Sequence, residues 1–153
     1  MSTRTNHHEF EAEEERRIFF EGVRLFNEKD FFEAHETWED IWSVATGTKA
    51  KFYQGLIQAA VVLEHMRRDN PPGVQRVWRT MQQKFAVVPD EYMGLNIPRF
   101  VEGIRSVVAD VLEMPTARGQ RPHDVVIEWD PCDVPELVPA FDPWETGEGR
   151  EEN

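Results

Sequence analysis

The residues best equipped for chemistry lie between Phe31 and His65, in FFEAHETWEDIW, the linker SVATGT and KAKFYQGLIQAAVVLEH. His35 and Glu39 are four residues apart, one helical turn, and so share a face. An imidazole nitrogen and a carboxylate oxygen are ligands for zinc or a similar divalent ion, and His65 would complete a set of two histidines and one glutamate. The same stretch also suits a polar pocket, with His35, Glu39, Tyr53, Gln54, Gln58 and His65 hydrogen-bonding a small ligand of unknown identity. A third reading needs no ligand: the histidine donates to the glutamate, the glutamines bridge helices, and the groups satisfy one another inside a core. Two familiar templates are incomplete. HETWE has glutamate where HExxH has its second histidine, and the paired ExxH motifs of a carboxylate-bridged di-iron bundle are missing. There is no Gly-rich phosphate loop and no GxSxG elbow, and Cys132 sits on an acidic, proline-rich segment with no histidine near it in sequence, which argues against a cysteine nucleophile. The favoured function is a binding or interaction module without a cofactor. The enzymatic alternative is a metal-dependent hydrolase using His35, Glu39 and His65, with Glu36 as base if it turns inward.

Helices must position these groups. From Glu13, Ile18, Phe19, Val23 and Phe26 recur at three- and four-residue steps. Asp30 is placed to cap a second helix, with Glu33 three residues on, and Phe31, Ala34, His35, Trp38, Ile41, Trp42 and Ala45 then fall on one face. Thr48 can cap a third helix running to about Arg68. If the two form a hairpin, Trp38 or His35 approaches Gln58 and His65. Gly55 inside that helix costs about 1 kcal/mol against alanine, which is reasonable if a large ring such as Trp38 or Trp42 packs on the bare backbone. Asn70, Pro71, Pro72 and Gly73 form a turn into a fourth helix ending near Phe85. Residues 86–97 read as a connection, and Pro98 opens a fifth helix through Glu113 whose several valines leave a strand alternative open.

The expected architecture is all-α: a multihelical bundle of about five helices with an extended C-terminal arm. Residues 1–12 form a flexible arm, 13–114 the helical domain, and 115–153 an acidic, proline-rich tail, disordered from about residue 146. Apolar anchors at Ile127, Trp129, Leu137, Phe141 and Trp144 point to a tail laid over its own domain or over a second subunit. A homo-oligomer held through the tail is one outcome.

The succession GVRLFNEKDFFEAHETWEDIW, then KFYQGLIQAAVVLEH, then a turn with Asn70 and Gly73, resembles the domain-of-unknown-function family 309, small helical proteins of bacteria and archaea. The resemblance spans about Glu21 to Phe85. Gly22, Phe26, Asn27, Phe31, Phe32, His35, Glu36, Trp38, Glu39 and Trp42 carry its first motif, and Tyr53, Gln54, Gly55, Leu56, Ile57, Gln58 and His65 its second. It implies a multihelical fold and no settled activity, and the long acidic tail departs from it.

Composition narrows the partners. With 29 acidic against 17 basic residues the formal charge is −12, which repels phosphate backbones and argues against nucleic acid. No apolar run reaches the roughly 18 to 20 residues of a membrane span, and the single cysteine cannot form an internal disulfide. These features point to a soluble, cytoplasmic protein. The acid-rich, lysine-poor balance resembles that of proteins from salt-accumulating halophiles, whose carboxylates repel one another until salt screens them. Thermal melts from low to molar potassium chloride should then show a rising midpoint, and a flat or falling midpoint would rule the halophilic reading out.

Overall fold

The computed structural model of the protein describes residues 3–116, 121 and 124–150. Five long helices follow in order: α1 (Thr3–Asn27), α2 (Phe31–Trp42), α3 (Gly47–Arg67), α4 (Pro71–Phe85) and α5 (Ile97–Leu112). Between α4 and α5 two-residue strands, β1 (Glu91–Tyr92) and β2 (Leu95–Asn96), pair antiparallel with Glu91 opposite Asn96. The arm adds a 3-10 turn at Pro131–Asp133, the one-turn helix α6 (Pro143–Thr146) and a second 3-10 turn at Glu148–Arg150. The all-α bundle is as expected, and α5 is helical despite its valines. Among the described residues no helix is long and apolar enough to cross a membrane.

Several local expectations shift. Helix α1 begins at Thr3, well ahead of Glu13; the run EAEEERR is rich in good helix formers, which extends the helix backward. Residues 1–2 of the predicted flexible arm lie outside the described residues. So do residues 151–153 of the predicted disordered end, whereas residues 146–150 finish α6 and form the last 3-10 turn, with Gly149 buried against Trp144. Asp30 occupies the N-cap of α2, but its side chain makes no capping bond. The N-cap of α3 is Thr46 rather than Thr48, with Gly47 at φ +62° supplying a backbone angle that suits glycine. Asn70 and Asn96 do cap with their side chains, each followed by proline in the first helical positions.

Packing explains the order. Helix α3 is apolar nearly all round, the signature of a central helix, and packs against both α2 and α4. Helix α2 buries Phe31, Ala34, Trp38 and Ile41, while Trp42 remains 38% exposed instead of entering the interior. Trp38 turns away from α3 toward α1, where its indole Nε1 donates to the Phe19 carbonyl at 3.3 Å and its ring lies on Gly22. The ring on Gly55 belongs to Phe85, not to Trp38 or Trp42.

At both glycines an added Cβ would overlap the ring. Alanine is the better helix former by about 1 kcal/mol, so in open space Gly22→Ala and Gly55→Ala would stabilise. Overpacking costs about 1–3 kcal/mol, and here it should win: both variants should unfold at lower urea concentration than the wild type. A higher midpoint for either would show that its ring yields.

Candidate functional site

Helices α2 and α3 leave a cleft of about 130 Å³ at the end of their hairpin. Phe31, Phe32 and His35 come from the start of α2, and Ala60, Val61, Glu64, His65 and Arg68 from the end of α3. The walls are mainly apolar, so each polar group there must find a partner or stay unsatisfied at a cost. One stays unsatisfied: Glu64 Oε2 is buried with no hydrogen-bond partner among the described residues.

His65 is held differently. The Asn70 carboxamide donates from Nδ2 to His65 Nδ1 at 2.9 Å, while Asn70 Oδ1 accepts from the Gly73 N–H at 3.4 Å, which orients the amide. Gly73 is required by this clip, because a Cβ there would overlap both side chains. With Nδ1 accepting, the neutral ring carries its proton on Nε2. Burial, then Arg76 and Arg68, hold the His65 pKa below its usual value.

His35 Nε2 lies 2.9 Å from Glu39 Oε1, and the Phe32 ring meets the imidazole edge-on at 5.9 Å. Glu39 is 44% exposed, not turned inward. The core arc of α2 is centred on Ala34, Trp38 and Ile41, so positions 35, 39 and 42 fall on its flank. His35, Glu36 and Glu39 each place a ligand atom within 4.8 Å of the others. His65 lies outside that set, although it shares the cleft with His35.

The predicted polar seam therefore divides. Tyr53 leaves it, donating from its hydroxyl to Glu15 Oε2 at 3.0 Å; Lys49 Nζ lies 3.3 Å from Glu15 Oε1 and donates to the Gly149 carbonyl at 2.6 Å. In this cluster burial raises the Glu15 pKa against the opposing pull of Lys49, and burial raises that of Tyr53. Gln54 is half-buried, and Gln58 Oε1 is buried without a partner among the described residues. Sequence reasoning missed Glu64 and Arg68. Their spacing from Val61, three and seven residues, was the available signal, since it sets all three on one face.

Because His65 has a lower pKa folded than its usual value near 6.5, the unfolded chain binds its proton more readily, and the contribution present above that pH is lost as pH falls. His65→Asn keeps an acceptor but cannot titrate. Urea unfolding at pH 7.5 and 5.5 should show a smaller loss of stability on acidification in the variant than in the wild type. Equal losses would refute the assigned role of His65.

Residues 19–77 match the family model described as Domain of unknown function (DUF309). An uncharacterised protein of Aquifex aeolicus (strain VF5) is 30% identical over 99 residues, 64% of this chain and 28% of that protein. The uncharacterised protein YpuF of Bacillus subtilis (strain 168) is 35% identical over 94 residues, 58% of this chain and 53% of that protein. The matched part thus spans just over a quarter of one relative and just over half of the other. The cleft and its Asn70 clip fall wholly within residues 19–77, the part of the chain that is similar to the DUF309 family.

Proposed function

We propose that this protein is a binding module whose ligand site is the cleft between α2 and α3. The observation that carries this reading is the buried, unpartnered Glu64 oxygen in a wall otherwise built from Phe31, Phe32, Ala60 and Val61. Leaving such an acceptor without a donor costs about 1–3 kcal/mol, which a ligand bearing an N–H group would offset. The space is close in volume to a cavity that takes up benzene, so the ligand, or the part that enters, is small. An amine suits the carboxylate and the two aromatic walls.

A second reading rests on the close approach of His35, Glu36 and Glu39. One imidazole and two carboxylates suit a divalent ion and leave coordination positions for water, which metal-dependent hydrolysis requires. Glu36 is then a ligand rather than a base. The formal charge of −12 supports partners other than nucleic acid or anionic membranes, and a cytoplasmic setting fits an exposed, free Cys132.

Both readings are tested on full-length, untagged protein prepared without chelator. Glu64→Leu should raise the stability of the ligand-free protein by about 1 kcal/mol, and methylamine or putrescine should raise the melting temperature of the wild type but not of this variant. A destabilised Glu64→Leu would mean that Glu64 is already satisfied, and the cleft reading would fall. Zinc chloride should raise the melting temperature in a manner abolished by His35→Ala and kept by His65→Ala. No stoichiometric metal in elemental analysis after zinc loading would sink the metal reading.

A further inference from the structure

Past the family segment the chain returns over the bundle as an arm, residues 124–150, with proline at every fourth position from Pro131 through Pro135 and Pro139 to Pro143. Ile127, Val134, Leu137, Pro143 and Trp144 are its buried side chains. Its regular structure is limited to single turns, and much of what holds it is contact with its main chain. The Asn27 carboxamide donates to the Leu137 carbonyl at 2.9 Å and accepts from the Leu137 N–H at 2.8 Å, the two-way pairing that a neighbouring strand would offer. The Asp69 carboxylate accepts from the Ile127 N–H at 2.9 Å, and the Gly94 carbonyl from the Ala140 N–H at 2.8 Å. Gly103 leaves room for the Pro135 ring, which a Cβ would strike. Asn27 ends α1 and Asp69 lies in the turn after α3, so the two flank the hairpin on either side, both inside residues 19–77.

Main-chain pairing combined with pockets for spaced apolar side chains is how domains take up extended peptides, and recurrent proline reduces the entropy lost on docking. The seat is wider than its occupant. A space of about 440 Å³ remains between the arm at Pro135–Val138 and the bundle at Leu95, Asn96, Arg99 and Phe100. The seat also favours acidic segments, since Arg16 pairs with Asp142 of the arm at 2.6 Å. We propose that the surface formed by Asn27, Asp69, Gly94 and Gly103 is a peptide-docking groove. The arm occupies it in cis and exchanges with an acidic, extended partner peptide that carries proline at every fourth residue and apolar residues between.

The test uses the full chain and a fluorescent synthetic peptide of residues 124–150. In a Leu137→Asp, Trp144→Ala variant the arm is unseated while the groove residues are untouched, so this variant should bind the peptide at least about tenfold more tightly than the wild type. Adding Asn27→Ala removes two hydrogen bonds and should weaken that binding about tenfold. A folded double variant that does not bind the peptide overturns the proposal. If the double variant does not fold, native-state hydrogen exchange of the wild type decides. The Ile127, Leu137 and Ala140 amides should exchange through an opening that leaves α3 protected, and exchange only together with α3 would make the arm an integral part of the fold. Scattering mass that doubles with concentration would assign the groove to a second copy's arm and also overturn the peptide reading.

Discussion

Everything in this bundle depends on a fully buried indole lying against a glycine. Trp38 sits on Gly22, and no side chain intervenes between that ring and the α1 backbone. This close approach sets the spacing of α1 and α2, and Phe85 on Gly55 does the same between α4 and α3. Each glycine forgoes about 1 kcal/mol of helix propensity. A buried aromatic ring returns more than that in apolar burial and dispersion. With the two outer spacings fixed, α3 has one seat left between α2 and α4, and the cleft opens where the buried arc of α2 ends and its flank begins.

The buried polar groups fall into two kinds. Around Glu15, Lys49 and Tyr53 donors and acceptors meet, and the cluster draws in the Gly149 carbonyl from the far end of the chain. This is the pattern of a structural network, high in desolvation cost but closed on itself. In the cleft the accounting stays open. His65 is oriented by the Asn70 clip and held toward its neutral form by burial, then by Arg76 and Arg68, whereas Glu64 Oε2 has no donor among the described residues. One carboxylate, Glu15 on α1, is closed into a network, and another, Glu64 on α3, is left open at the cleft.

The helices and their order were legible in the sequence because apolar residues repeat at helical spacing in nearly every segment. The Asn70 turn was legible for the same kind of reason, since Pro and Gly at fixed offsets admit few conformations. The site was only half legible. His35 and Glu39 declare their pairing through a four-residue offset, but whether that face lies at the centre or the edge of the buried arc depends on where α1 sits, and α1 is placed by a ring-on-glycine contact 16 residues away in sequence, between Gly22 and Trp38. Periodicity gives a direction around one helix axis, not the neighbour that will claim it. Trp38 and Tyr53 were expected along the polar seam for that reason, and both turned to α1 instead.

Proline spacing in the arm has a consequence for how the molecule behaves among its neighbours. An extended segment on a protein surface offers a row of N–H and C=O groups, the template from which edge-to-edge association grows. Pro131, Pro135, Pro139 and Pro143 each withhold a donor at regular intervals, and Asp130, Asp133, Glu136 and Asp142 set like charges along the same stretch. A second extended chain can therefore find no continuous ladder on the arm's outer side. The outer side of the arm thus withholds the ladder from which edge-to-edge aggregation grows.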